Sequence, residues 1–214
     1  LLNIPENAVL VGSTGVIGKQ LPMDRICAGI EKLAAAKDGS IEAGTTASKA
    51  IMTTDTINKE IAVTIELDGK TVTVGGMSKG SGMIHPNMCT MLAYITTDAA
   101  ISKKMLQEAL STSVVDTFNM ISVDGDTSTN DTCLVLANGL AGNEEITAKG
   151  EAYDKFLEAL NYVNTYLART MAGDGEGATA LFETVVYNAD TKQNARTLAK
   201  SVICSSLTKA AIYG

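Results

Sequence analysis

Ile61, Val63, Ile65 and Leu67 occupy every second position, Asp68-Gly69 follows, and Val72 and Val74 resume the same period. Strict alternation turns one side of an extended chain toward an apolar environment and the other away from it. An Asp-Gly pair between two such runs supplies the two positive-φ positions of a tight turn, so residues 61–74 are predicted to form an antiparallel hairpin. A lone hairpin is marginal in water, which restricts the chain to architectures in which a layer covers the sheet. Residues 149–171 read as a long amphipathic helix with Phe156, Leu160, Val163, Leu167 and Met171 as its buried stripe. Further helices are predicted over 24–36, 45–53, 102–116 with Ser102 as N-cap, and 191–204; further strands over 8–11, 118–123, 132–137 and 181–187. With no internal repeat or low-complexity linker, this alternation describes α/β layers on an antiparallel or mixed sheet.

Composition excludes several classes of function. In 214 residues, 45% hydrophobic content is enough for a substantial core, and the net charge of −7 comes from scattered groups, without a basic face or aromatic platform for nucleic acid. Cys27, Cys89, Cys133 and Cys204 are far apart and form no CxxC pair, so reduced thiols in a reducing compartment are expected, with neither disulfide nor zinc site. No apolar run reaches membrane-spanning length, and LLNIPENAVLV lacks the basic start of a signal peptide; a soluble chain is expected.

Four motifs carry candidate chemistry. Gly12, Gly15 and Gly18 in VLVGSTGVIG imitate a dinucleotide-binding turn, but Pro22 falls where the following helix should be running and no acidic strand end lies about 20 residues on. Asp124, Asp126, Asn130 and Asp131 resemble a calcium loop without its central glycine or terminal glutamate; they read as an Asx-rich turn that hydrogen-bonds backbone, and no metal is expected. His85, the sole histidine, is five residues before Thr90 and reads as a solvent-facing or locally hydrogen-bonded turn residue, with a catalytic base as the alternative. Finally, Cys89-Thr90 lies between a loosened turn containing Gly80, Gly82 and Pro86 and an apolar segment. A threonine hydroxyl needs a base, and cleavage before Thr90 would provide one in its own α-amine. Spacing alone favours reading Thr90 as a turn residue or helix cap.

The segments STGVIGKQLPM, IMTTDT, GGMSKGSGMIHPNMCTMLAYITTDA, VDGDTSTNDT and GDGEGAT resemble, in order and through nearly the whole chain, the ornithine acetyltransferase family, the bifunctional glutamate N-acetyltransferases of arginine biosynthesis. The resemblance implies an αββα-like sandwich and a precursor that cleaves itself before its nucleophilic threonine, so residues 1–89 would end an α chain and 90–214 begin a β chain. It implies Thr90 as nucleophile, Thr14 and Gly15 as the oxyanion hole, and Thr56, Lys79, Thr90 and Glu176 as substrate-binding residues. N-acetylornithine and glutamate would be the substrates, without a cofactor, although acetyl-CoA serves some members as donor. An αβ heterodimer assembling to an α2β2 heterotetramer in the cytoplasm is implied as well. The alternatives are an N-terminal-nucleophile amidohydrolase or aminopeptidase of similar shape, or a truncated chain that does not turn over. The chain departs from the family pattern at Cys89, where alanine is usual, at Ala180 in place of lysine, and at Ser206 in place of proline. The family sequence also extends beyond both ends, so segments that complete the pocket are expected to lie outside this chain.

Overall fold

The computed structural model describes residues 1–88 and 90–213. The predicted hairpin is present: β1 (Lys59–Leu67) and β2 (Lys70–Lys79) pair antiparallel with Leu67 opposite Lys70. Asp68 and Gly69 both take positive φ, 52° and 69°, the left-handed geometry that a two-residue turn of matching twist requires. β3 (Leu92–Thr97) adds antiparallel to β2, and β4 (Thr132–Ala137) adds parallel to β3, giving a four-stranded mixed sheet in the order β1-β2-β3-β4. The parallel pair needs a crossover, and α3 (Lys103–Asp116) provides it. Ser102 caps that helix as expected, its hydroxyl accepting the Met105 N–H at 3.4 Å.

The long helix α4 (Glu151–Gly173) covers the sheet. All five stripe residues, Phe156, Leu160, Val163, Leu167 and Met171, are fully buried, with Val72, Val74 and Ile95 in the same core. Each such side chain contributes about 1.5–3 kcal/mol by leaving water, so this layer carries much of the fold's stability. Asn164, also fully buried, donates to Ser113 Oγ at 2.9 Å and ties α4 to α3. The opposite face of the sheet, bearing Tyr94, Thr96, Leu134 and Leu136, is only partly covered, and Leu136 is exposed. The α/β class and mixed sheet match expectation, with the described residues contributing one sheet and its helical layer.

Other expectations change. Helices α1 (Met23–Ala35) and α5 (Lys192–Ile203) fall where predicted; α2 (Ile41–Ala50) begins earlier, after Ser40 caps it. A final helix, α6 (Ser206–Tyr213), had no counterpart in the periodicity analysis. The strand expected over 118–123 is a 3-10 turn, Phe118–Met120, because Phe118 drops into the core directly after α3 and only Val123 N–H reaches a neighbouring carbonyl, that of Ile84. The strands expected over 8–11 and 181–187 are irregular: Val9, Leu10 and Val11, like Leu181, Val185 and Tyr187, stand exposed without a partner strand. Apolar alternation becomes a strand only where another strand satisfies its backbone groups.

Gly76 lets α4 approach β2. A Cβ built there lies 3.1 Å from Val163, 3.2 Å from Leu167 and 3.2 Å from Ile95, all inside the core. Gly76→Ala is therefore expected to destabilise the chain by roughly 1–3 kcal/mol through overpacking. Chemical denaturation should show a lower midpoint at unchanged slope.

Candidate active site

At one end of the sheet, β1 begins, β2 ends, and β3 and β4 begin; Lys79 pairs with Leu92, and Leu92 with Thr132. The loops at that end therefore converge: 53–58, 80–91 and 124–131, together with the turn after α4. Their polar residues lie next to one another although they are up to 118 positions apart in sequence.

Lys59 holds the convergence together. Its ammonium, fully buried, bonds Asp55 Oδ1 at 2.7 Å, Asp174 Oδ2 at 2.6 Å and the Ile57 carbonyl at 3.2 Å. Asp55 also accepts Gly80 N–H at 2.6 Å and Thr53 N–H at 3.1 Å. Gly80 has φ +147°, and a Cβ there would stand 2.8 Å from Ile84, so only glycine presents this N–H to Asp55. Asp174 accepts Thr56 N–H at 3.0 Å and the Thr56 hydroxyl. Burial pushes both carboxyls up, but the Lys59 bond and the converging backbone donors outweigh it and hold both below the usual aspartate value.

Lys79, the expected substrate-binding lysine, is 1% exposed and donates to Thr53 Oγ1 at 3.2 Å. Burial pushes its pKa down, Asp55 and Asp131 pull it up, and Lys59 pushes it down again, with a net decrease. Glu176 is exposed; its N–H bonds the Ser81 carbonyl at 2.8 Å and its carboxyl lies over Gly82, where a Cβ would be 2.5 Å from the carboxyl carbon. Thr56 belongs to the same loop, but its hydroxyl is engaged by Asp174, and Thr53 is the threonine of that loop that touches Lys79.

Thr90 lies at the entry to β3. Its hydroxyl donates to Ser128 Oγ at 2.7 Å, and its backbone N–H donates to Asp131 Oδ1, which also accepts Met91 N–H at 2.9 Å. Burial raises the Asp131 carboxyl, partly offset by Met91 N–H and by the field of Lys79. Asp124 caps the backbone of the preceding turn, accepting Met83 N–H at 2.6 Å and Ile84 N–H at 3.1 Å. The acidic loop thus binds backbone, as its Asx pattern predicted. Asp131 and Ser128 were not singled out as reacting-group neighbours by spacing; the signal available was their place in a polar loop between two elements. The other side of the expected cleavage bond, Cys89, lies outside the described residues.

The turn that carries Thr14 and Gly15 begins at Gly12, which packs against β3 and the start of β4. Gly12 accepts the Tyr94 hydroxyl at 3.1 Å, and a Cβ on Gly12 would sit 3.4 Å from the Thr132 methyl. Thr14 is half-buried, and neither its hydroxyl nor Gly15 N–H has a partner among the described residues. Gly12 thus lies beside the strand start that follows Asp131, while Thr14 and Gly15 make no hydrogen bond to the Thr90 loop among the described residues. His85 points elsewhere: Nδ1 is 3.0 Å from Ser122 Oγ and 3.7 Å from Cys204 Sγ, and burial, aided by Lys200, lowers its pKa. Its side-chain partners are 37 and 119 positions away, so the local hydrogen bonding expected of it is replaced by tertiary contacts.

Comparison with known proteins identifies the lineage of this arrangement. The ArgJ family model matches residues 1–214. The arginine biosynthesis bifunctional protein ArgJ of Caldanaerobacter subterraneus subsp. tengcongensis is 52% identical over 214 residues, covering 100% of this chain and 53% of that protein. Its namesake from Symbiobacterium thermophilum is 54% identical over 213 residues, covering 100% of this chain and 52% of its own length. The chain thus spans about half the length of the curated relatives it matches. A crystal structure of the Bacillus halodurans ArgJ protein superimposes with TM-score 0.55 at 48% identity, covering 56% of this chain and 57% of that one.

Breaking the buried cluster should be costly and dependent on pH. Lys59→Met leaves two buried carboxylates without their cation and is expected to lose about 3–5 kcal/mol. Because Asp55 and Asp174 bind protons more weakly folded than unfolded, their contribution is present above the ordinary aspartate value and lost as pH falls through their depressed folded values. Thermal melts across acid pH should show that loss, and Asp174→Asn should flatten it.

Proposed function

Because the chain belongs to the ArgJ family, we propose that it carries the nucleophile and much of the substrate pocket of a self-processing acetyltransferase of arginine biosynthesis. The observation that carries this reading is Thr90, with its hydroxyl on Ser128, its N–H on Asp131, and the buried cation Lys79 acting on that carboxylate. Cleavage between Cys89 and Thr90 divides the polypeptide into an α part ending at residue 89 and a β part beginning at residue 90. The freed α-amine of Thr90 then takes the hydroxyl proton as Oγ1 bonds to the acetyl carbon of N-acetylornithine. Thr14 and the Gly15 N–H stabilise the oxyanion, and the free donors of their turn suit that role. The carbon–nitrogen bond breaks and the proton passes to ornithine; the amine of glutamate then attacks the acetyl carbon, the ester bond to Oγ1 breaks, and the amine's proton returns to Oγ1 through the Thr90 α-amine. No cofactor enters this cycle; acetyl-CoA is the alternative donor.

Both substrates carry an α-carboxylate, and the acceptor an ammonium, so the pocket needs charges of both signs. Lys79 at the end of β2 and Glu176 on the turn after α4 supply them, with Thr56 on loop 53–58; the exposed Glu176 is free to meet an incoming amino acid. Among the described residues no helix is long and apolar enough to cross a membrane; the cytoplasmic αβ heterodimer pairing into an α2β2 heterotetramer is part of this reading through the family alone.

Assays belong in a polypeptide of the relatives' full length. Thr90→Ala is expected to abolish both cleavage, read by intact mass, and acetyl transfer from N-acetylornithine to glutamate, whereas Thr90→Ser retains part of each. Free acetate in place of N-acetylglutamate would instead mark an amidohydrolase. Thr14→Val should lower kcat about 10²–10³-fold with KM little changed, and a kcat within a factor of two of wild type would remove Thr14 from the oxyanion hole. Gly82→Ala, whose methyl displaces the Glu176 carboxyl, should chiefly raise KM.

A further inference from the structure

Asp131 accepts two backbone N–H groups on a single oxygen. Thr90 N–H and Met91 N–H both donate to Oδ1, whereas Oδ2 is buried and has no partner among the described residues. The residue as a whole is 8% exposed, and leaving a buried acceptor empty costs about 1–3 kcal/mol, more for a charged group. A vacant, buried carboxylate oxygen beside the nitrogen of the expected nucleophile calls for a donor that the intact chain does not supply.

Cleavage supplies one. Before it, Thr90 N is an amide with a single hydrogen, and that hydrogen is already bonded to Oδ1. In an N-to-O acyl shift, Oγ1 bonds to the carbonyl carbon of residue 89, the carbon–nitrogen bond breaks, and the hydroxyl proton ends on nitrogen. Water then hydrolyses the ester, leaving an amine with two hydrogens, or an ammonium with three. We propose that Asp131 is the positioning residue of the Thr90 α-amine, holding the amide N–H in the intact chain and taking the N–H created by cleavage on Oδ2. This rests on Thr90 being the nucleophile.

The same loop fixes the other reacting atom. Ser128 Oγ accepts both the Thr90 hydroxyl and Asn130 N–H, the latter at 3.0 Å, so nitrogen and Oγ1 are oriented by residues three apart on one turn. The groups facing this carboxylate are few. Lys79 reaches it electrostatically from β2, with Asp55 and Lys59 behind that lysine. Cys133, on β4, is pushed by burial to about 12 and is uncharged. From α3, Gln107 and Ser111 line the same cavity as Asp131, and neither ionises. Asp131 is therefore the only carboxylate in hydrogen-bond contact with the Thr90 nitrogen among the described residues.

A carboxylate on the amine favours its protonated form, and the amine must lose its proton to act as base. The acid limb of the kcat profile should therefore report this pair, and removing the charge should move the limb to lower pH by about 1–3 pH units. The test uses Asp131→Asn, Asp131→Glu and Asp124→Asn in the full-length polypeptide, reading processing by intact mass and transfer by pH profile on the processed fraction. Asp131→Asn is expected to process at least about 10-fold more slowly and to show the displaced limb, with partial recovery in Asp131→Glu. Asp124 caps other amides of the same loop, so Asp124→Asn is expected to lower the melting temperature while leaving the limb in place. If Asp131→Asn matches Asp124→Asn in both readouts, the assignment is wrong and the carboxylate is only a structural cap. Wild-type protein that neither cleaves nor transfers acetyl would instead remove Thr90 as nucleophile, an outcome distinct from an unmoved limb in an active enzyme.

Discussion

One buried ammonium organises the molecule. Lys59 lies with no side-chain exposure between Asp55 and Asp174, and these carboxylates tie loop 53–58 to its neighbours: Asp55 takes the Gly80 and Thr53 amides, Asp174 the Thr56 amide and hydroxyl. Replacing an ion pair of this kind with apolar groups is often neutral for stability, so its value lies in specificity of geometry. Here the geometry is the register of β1, β2 and the end of α4 at a single edge. If the cluster were absent, nothing else among the described residues would join residue 174 to residues 55–59 through charge.

From that edge the charge pattern follows. Lys79 is one residue from Gly80, which Asp55 holds, and its ammonium is buried among groups of both signs. A cation in such a place is expensive to keep and strong when an anion arrives, since the same low dielectric that penalises it unpaired strengthens its pairing. Glu176, by contrast, sits in the open above Gly82 on the turn that Asp174 begins. The two charges therefore differ in environment, one buried and desolvated, the other exposed to solvent.

The acidic loop between α3 and β4 acts in a similar way at the other side. Its carboxylates are used on backbone amides, Asp124 for the turn at 83–84 and Asp131 for the start of β3, so the loop fixes Thr90 from both its nitrogen and its hydroxyl. Because β3 and β4 are parallel and adjacent, the start of one strand necessarily faces the start of the other. A residue entering β3 is thereby brought to a loop 41 positions later without any local signal.

The sequence alone determined what depends on neighbours a few positions away. Alternation and Asp68-Gly69 specified the hairpin, the 3.6-residue stripe from Phe156 to Met171 specified the covering helix, and Ser102 specified where α3 starts. The long blocks around Thr90 and at 123–132 pointed to the family, and the Asx pattern indicated that the acidic loop would bind backbone. Alternation misled at 118–123 and 181–187, because whether an extended apolar run becomes a strand depends on a partner strand that local periodicity cannot report. The burial of Lys59 with Asp55 and Asp174, the vacant oxygen of Asp131, and the approach of Thr53 rather than Thr56 to Lys79 were decided by tertiary structure alone. Those relations join residues far apart in sequence, and only strand order and the packing of α4 set the distances between them.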